Sequence, residues 1–183
     1  MQSFHFEKIE KGSESLSAMI FGALGVVANV IIYQQKKGKK LLFYKLVSDI
    51  LWMFHYLCLN AVSGAAIAAI GIIREAVFLN QNKKWAQGKG WLLLFLALSV
   101  ISAAFTWKSV FSILPAVGSV LSVFSFWKNK PALSRALAFP ISASMLTYDI
   151  FCGSYLGIAN EIFTLGSAVV GVLRNKKTKA KSA

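Results

Sequence analysis

The stretch QNKK at residues 81–84 closes a long apolar run, and RNKK at residues 174–177 closes another one 93 positions later. Lysine clusters that directly follow apolar runs are typical of the cytoplasmic ends of membrane-spanning helices. Two such ends with nearly the same basic sequence predict two copies of one structural unit. Each copy would then reach the same side of the membrane with the same chain direction.

The composition indicates an integral membrane protein. Of the 183 residues, 56% are hydrophobic and only 15% are charged, and the mean hydropathy is +0.60. Several apolar runs exceed the roughly 18 residues that mark a membrane-spanning helix. The formal net charge is +13, but the basic residues form short clusters between apolar runs. We therefore expect the lipid bilayer as a partner and no binding of nucleic acid.

Seven membrane spans can be read from the sequence. The fourth, WLLLFLALSVISAAFTW, carries a tryptophan at each end, as expected for side chains that anchor a helix at the membrane interface. The N-terminal segment MQSFHFEKIEKGSES mixes acidic and basic residues and does not resemble the basic start of a signal peptide, so we expect the first span to be retained. The predicted spans cover residues 16–34, 41–60, 62–80, 91–107, 109–127, 133–152 and 154–173.

The basic residues also predict the orientation. Clusters follow the first, third, fifth and seventh spans, whereas the connections after the second and sixth spans carry none and the fourth is followed only by Lys108. Because cytoplasmic loops are enriched in lysine and arginine, we expect the N-terminus outside and the C-terminus in the cytoplasm.

An internal repeat explains the two basic stretches. Shifting the chain by 93 residues aligns 23–84 with 116–177 without a gap, and identities such as Gly25 with Gly118 and Gly64 with Gly157 keep one register. The fourth span has no counterpart and restores the parallel direction of the two triplets. We predict an all-α polytopic fold of two parallel three-helix repeats and a linker helix. The predicted divisions are an extracytoplasmic tail (1–15), repeat 1 (16–84), a loop and linker helix (85–108), repeat 2 (109–177) and a basic cytoplasmic tail (178–183).

This layout resembles a known group of transporters. Parallel repeats related by an axis along the membrane normal occur in the SWEET transporters, and the three-one-three order is similar to the SWEET and PQ-loop superfamily, which includes nicotinamide riboside transporters of the PnuC type. Within that group the chain resembles the bacterial inner-membrane YgjV-like family. The resemblance is carried by WMFHYLCLNAVSGAA (52–66) with His55, LPAVGSVLSVFSFWKNK (114–130), and GSYLGIANEIFTLGS (153–167) with Glu161. Superfamily relatives often assemble as oligomers, so the resemblance implies a homo-oligomer, although the sequence shows no interface pattern.

Polar side chains inside the predicted spans are the candidates for function. A charged group at the bilayer centre costs about 2.5–3.5 kcal/mol on insertion scales and usually faces a cavity or a partner. We predict a central pathway between the repeats that such side chains line. Its outer half would contain His55, Trp52, Tyr148, Asn160 and Glu161, with Asn29 and Ser122 placed deeper.

Several of these residues have a second interpretation. His55 lines the pathway or stabilises a contact between helices. Glu161 is protonated, paired with His55, or exposed to a water-filled cavity, since an isolated buried charge would be expensive. Glu161 or Asp49 would be the group that couples transport to protons. Arg74, near the cytoplasmic end of the third span, can extend to the lipid headgroups in a structural role, which we favour over a role in transport.

The sequence predicts neither a catalytic site nor a metal site. It has two histidines, His5 and His55, and no glycine-rich phosphate loop. Cys58 and Cys152 lack metal-ligand spacing; a disulfide between them is conceivable, but two unpaired thiols are the simpler expectation. We therefore expect no enzymatic activity and no cofactor; an intramembrane enzyme that uses its carboxylates for acid–base chemistry would need several polar groups converging on one point.

Together these patterns favour a secondary transporter or facilitator of a small polar solute, with proton coupling as an added hypothesis. The alternative is a membrane scaffold or regulator that binds lipid or another membrane protein and transports nothing. A polar cavity that reaches the midplane would favour transport, whereas a dry, closed interface between the triplets would favour the scaffold.

Overall fold

The computed structural model describes residues 15–128 and 130–180, with the side chains of the last helix described up to Leu173. This part of the chain contains seven α-helices and two single-turn 3-10 helices, at Lys84–Ala86 and Val110–Ser112. The tail predicted for residues 1–15 lies outside the described residues except for Ser15. The helices are α1 (Leu16–Gln34), α2 (Gly38–Cys58), α3 (Val62–Leu79), α4 (Lys89–Phe105), α5 (Ile113–Trp127), α6 (Pro131–Cys152) and α7 (Tyr155–Ala180).

The ends of the helices follow from local sequence. The Ser15 hydroxyl accepts a hydrogen bond from the Ala18 N–H (3.2 Å) and caps α1. Pro131 occupies the first turn of α6, where its missing N–H costs nothing. The chain turns into α3 and α7 through residues with positive φ, Asn60 (54°) and Gly153 (73°), and these are the two residue types that adopt this conformation most readily.

The predicted spans match the seven helices within one to three residues at most ends, and the largest differences are at the start of α5 and the end of α7. Regular helix α5 begins at Ile113 rather than 109, because Pro115 cannot follow four residues of α-helix and a 3-10 turn precedes it. Helix α6 begins at Pro131, and Arg135 in its second turn is buried. Helix α7 continues to Ala180, so the start of the predicted tail at 178–183 is helical.

Five helices of the described part are long and apolar enough to cross a membrane: α1, α2, α3, α5 together with its preceding turn, and α7. Helix α4 is apolar but has only 17 residues. Helix α6 has 22 residues, and its buried positions include Arg135, Asp149 and three serines, which make it less hydrophobic than the five. Its polar residues face other helices rather than the surroundings.

Six helices pack around a common centre. Helix α2 packs between α1 and α3, and α6 packs between α5 and α7. Helix α1 also contacts α7, and α3 contacts α5, so the six helices form a closed ring. Helix α4 packs outside it, against α3 and α5. We call the end of the bundle with the α1–α2, α3–α4 and α5–α6 connections the basic end, because these connections carry lysines, and the other end the opposite end.

The basic end of the bundle is filled by aromatic side chains and by one arginine. At the basic end, Phe78, Phe95 and Phe126 are almost fully buried in one hydrophobic cluster, and the Phe78 and Phe95 rings meet edge to face at 5.7 Å. Arg135 of α6 crosses to α1 there and donates to the carbonyls of Tyr33 (3.2 Å) and Gln35 (3.1 Å). A guanidinium at the C-terminus of a helix satisfies carbonyls that have no partner within the helix.

Several structural features recur at the spacing of 93 residues. Helices α2 and α6 begin at 38 and 131, α3 and α7 begin at 62 and 155, and α1 and α5 end at 34 and 127. The two residues with positive φ, 60 and 153, are also 93 apart. Gly25 packs against the Trp52 indole, and 93 residues on, Gly118 packs against the side chain of Met145.

Substitution of Gly157 by alanine tests how closely α6 and α7 pack. A Cβ at this position would collide with Asp149 Cγ and lie 2.6 Å from Ser154 Oγ, and overpacking of this kind costs about 1–3 kcal/mol. We expect Gly157→Ala to lower the melting temperature of the detergent-purified protein by several degrees. Gly166→Ala is the matched control on the same helix, because a Cβ there meets no heavy atom within 4 Å. Equal melting temperatures for the two variants would contradict this packing.

Candidate functional site

A polar cavity of about 100 Å³ lies between the six central helices. Each of α1, α2, α3, α5, α6 and α7 contributes side chains to its wall, and α4 contributes none. Along α2 the lining extends from Lys45 to Tyr56, a rise of about 16 Å at 1.5 Å per residue. The polar residues of its wall are Asn29, Lys45, Asp49, Arg74, Ser119, Ser122, Ser142, Asn160, Glu161 and Thr164, together with the aromatic residues Tyr33, Trp52 and Tyr56.

Most of the candidates from the sequence meet at this cavity. The structure places six of the eight on its wall, from four different helices. They are Asn29, Asp49, Trp52, Ser122, Asn160 and Glu161. The other two, His55 and Tyr148, do not line the cavity and instead make contacts between helices near the opposite end.

A chain of hydrogen bonds leads to Glu161. The Ser48 hydroxyl donates to Asn29 Oδ1 (2.9 Å), Asn29 Nδ2 donates to Asn160 Oδ1 (2.7 Å), and Asn160 Nδ2 donates to Glu161 Oε1 (2.8 Å). Ser142 of α6 lies beside the same carboxyl group. The chain links α2, α1 and α7, and every donor in it points toward the carboxyl group.

A second cluster combines two cations and two carboxylates. Lys45 forms an ion pair with Asp49 one helical turn away, and Arg74 Nη2 lies 2.9 Å from Glu75 Oε1 and 4.0 Å from Asp49 Oδ2. Arg74 also donates to the backbone oxygen of Ser119 on α5 (3.3 Å). The charges of this cluster balance, which reduces the cost of burying them.

The contacts of Arg74 correct one expectation. Its side chain is 3% exposed and lies over the Phe126 ring at 5.7 Å, so it does not extend to the lipid headgroups. Gly71, one turn before Arg74, leaves the space that the Asp49 carboxylate occupies beside it.

His55 and Tyr148 join helices from opposite halves of the chain. The Nδ1 atom of His55 lies 2.8 Å from the Ala18 carbonyl oxygen, so Nδ1 carries the hydrogen, and Nε2 accepts from the Ser154 hydroxyl (2.8 Å). Ser154 in turn accepts from the Gly157 N–H at the start of α7 (3.0 Å). Tyr148, 93 residues after His55, accepts from the Gly64 N–H at the start of α3 (3.1 Å). Of the alternatives for His55, this geometry matches the helix contact, because its two ring nitrogens contact Ala18 and Ser154.

The opposite end also contains a contact that the sequence analysis did not select. The Tyr56 hydroxyl donates to Asp149 Oδ1 at 2.8 Å, and the Tyr56 ring meets the Tyr148 ring edge to face at 6.1 Å. Asp149 is fully buried. The sequence contained one signal for this pair. Both residues are polar, lie within predicted spans and are 93 positions apart, so a twofold relation between the repeats would bring them together if they lie close to its axis.

The described residues contain no cluster of three or more His, Cys, Asp or Glu that could hold a metal ion. Cys58 is exposed and Cys152 is half-buried, and neither forms a disulfide within the described part of the chain. What the site offers chemically is therefore hydrogen bonding, charge and aromatic faces in a small enclosed space.

Replacement of Tyr56 by phenylalanine tests the contact with Asp149. The change keeps the ring and removes the donor, and loss of a hydrogen bond to a buried charged group costs about 1–3 kcal/mol. We expect a lower midpoint of thermal unfolding in detergent. Tyr44→Phe on the same helix is the control, since the half-buried Tyr44 hydroxyl has no hydrogen-bond partner within residues 15–128 and 130–180. An unchanged midpoint for Tyr56→Phe would show that the bond contributes nothing.

Comparison with known proteins identifies the family. A family model described as a bacterial inner membrane protein, Imp-YgjV, matches residues 16–179, which include all seven helices except the last residue of α7. No curated protein and no solved structure gives a match. Because the model covers most of the chain, the protein belongs to the Imp-YgjV family of bacterial inner membrane proteins.

Proposed function

We propose that this protein is a secondary transporter or facilitator that moves a small polar solute through the centre of the six-helix arrangement. The observation that carries the proposal is the cavity of about 100 Å³, to which all six helices contribute. Polar groups in a membrane interior are expensive and occur mainly where they face a pathway or one another. A purely structural interface would gain more from apolar packing than from this many hydroxyl, amide and charged groups.

The proposed architecture is two parallel three-helix repeats, α1–α3 and α5–α7, joined by the linker helix α4. Three observations support it: the helix ends that recur at 93 residues, the matched glycine contacts, and the packing, in which the α1–α7 contact corresponds to the α3–α5 contact. This is the three-one-three order of the SWEET-like transporters. In such a plan, small rotations of one repeat against the other open each end in turn.

The contacts at the two ends suit this movement. At the opposite end, the halves of the chain are joined by hydrogen bonds, such as Tyr56 to Asp149, and by the contact of the Tyr56 and Tyr148 rings. At the basic end they are joined by aromatic packing and by Arg135. In alternating access, one set of contacts would separate while the other stays closed.

Uptake into proteoliposomes tests the proposal. We expect the protein to accumulate at least one radiolabelled solute, chosen from small polar compounds that raise its melting temperature. Glu161→Gln should strongly reduce uptake, because it removes a charged group of the cavity wall. Ser102→Ala is the control, since Ser102 is a buried residue of α4, outside the cavity. If no compound stabilises the protein and none is taken up, the transporter proposal fails and a scaffold or regulatory role is favoured.

Proton coupling through Glu161 is part of the same proposal. The charged or titratable groups around Glu161 include Lys45, Asp49 and Tyr56 on α2 and Tyr33 on α1. In the same uptake assay, an imposed pH gradient should change the wild-type rate. Loss of this response in Glu161→Gln and its persistence in Asp49→Asn would assign the coupling to Glu161.

We propose that the basic end faces the cytoplasm, as the lysine clusters indicate. Cys58 is exposed near the opposite end, so a membrane-impermeant maleimide should label it in intact spheroplasts of a Cys152→Ser variant. Lys84→Cys, at an exposed position of the basic end, should be labelled in a cysteine-free background only after permeabilisation. The reverse pattern would overturn the orientation.

A further inference from the structure

We infer that the cavity binds a small primary amine that also carries a hydrogen-bond acceptor such as a hydroxyl group. The inference rests on the proposed function, because it names the class of solute for the same cavity. It is carried by the charge balance of the cavity, by polar atoms that lack partners, and by the size of the cavity.

The charge balance leaves one carboxylate without a cation. Lys45 is paired with Asp49, and Arg74 is paired with Glu75. Glu161 is buried, with 7% of its surface exposed, and it forms no ion pair with any lysine, arginine or histidine that the structure describes. When these five groups are ionised, their charges sum to −1. A monovalent cation in the cavity would neutralise it and remove the cost of an unpaired buried charge.

The hydrogen-bond chain is oriented to support a negative charge at this point. Ser48, Asn29 and Asn160 all donate in the direction of the Glu161 carboxyl group. Donors aimed at one acceptor stabilise it as an anion, and successive hydrogen bonds polarise one another. The protein thus supports the carboxylate with hydrogen-bond donors, and the nearest lysine, Lys45, forms its ion pair with Asp49 instead.

Polar atoms without partners define what the cation must offer. Asp49 Oδ2 and Thr164 Oγ1 belong to cavity-lining residues and have no hydrogen-bond partner among the described residues. A primary ammonium group has three donors, and the cavity wall offers it acceptors in the Glu161 carboxylate, Thr164 Oγ1 and Asp49 Oδ2, the last of which lies 4.0 Å from Arg74 Nη2. A quaternary ammonium could not make these bonds because it has no N–H.

Trp52 indicates that the solute also carries a hydrogen-bond acceptor. Its Nε1–H is buried, and the described residues give it no acceptor. A hydroxyl or carbonyl oxygen on the solute would satisfy this donor. The rings of Trp52 and Tyr56 also line the cavity, and aromatic faces attract cations.

The size of the cavity suits a small solute. A volume of about 100 Å³ has room for several water molecules. Ethanolamine is the simplest compound that carries both a primary amine and a hydroxyl group, so it is the natural probe for this cavity.

Isothermal titration of the purified wild-type protein with ethanolamine and with ethylene glycol tests the inference. The two compounds have the same size and differ in one amino group. We expect ethanolamine to bind and ethylene glycol to bind much more weakly. Glu161→Gln should weaken ethanolamine binding by about 10- to 100-fold, as loss of charge-assisted hydrogen bonds predicts, while Ser102→Ala should leave it unchanged. Thr164→Val should weaken it less than Glu161→Gln, because it removes a neutral partner.

The outcomes separate this inference from the proposed function. Binding of ethylene glycol as tight as that of ethanolamine, or stabilisation by sodium or potassium ions alone, would overturn the amine inference. Uptake of a neutral solute would then still support transport. Ethanolamine binding that depends on Glu161, without uptake into proteoliposomes, would support the inference and overturn the transporter proposal. Ethanolamine binding that persists in Glu161→Gln would place the amine elsewhere and overturn the inference.

Discussion

The burial of charged side chains in an apolar interior is the constraint on which this structure depends. Asp49, Arg74, Glu75, Asp149 and Glu161 are all buried, and each would be costly without a partner. The helix packing provides the partners: Arg74 contacts residues of α3 and α5 and lies near Asp49 of α2, and Asp149 accepts from Tyr56. The cavity lies where this pairing is incomplete.

Glycines decide where the polar groups fit. Asp49 lies against Gly71, Trp52 against Gly25 and Asp149 against Gly157. In each case a Cβ on the glycine would collide with the polar side chain. The small residues that allow helices to approach therefore also create the places that receive polar side chains, so packing and site formation are not separate functions of these positions.

The number and approximate bounds of the helices could be predicted from the sequence, because apolar runs and lysine clusters are local signals. The position of Asn29, Asn160 and Glu161 on one cavity could also be predicted, since the repeat register shows which helix faces correspond. The partners of His55 and Arg74 could not. Ser154, just before α7, and Ser119, on α5, are far from these partners in sequence, and no local pattern distinguishes them from other serines. The start of α5 was missed because the effect of Pro115 on the preceding turn depends on the backbone path there.

The bond between Tyr56 and Asp149 has a consequence for how such a chain could arise by gene duplication. Under the proposed repeats, positions 56 and 149 are equivalent, and they meet across the axis that relates the two halves. A symmetric dimer of one three-helix unit would place identical residues opposite each other there. Two aspartates would repel each other, and two tyrosines would lack the carboxylate that accepts the hydrogen bond. Fusion into one polypeptide lets each copy mutate independently, so one can become the donor and the other the acceptor. The pair is thus a form of asymmetry that a dimer of identical chains could not encode.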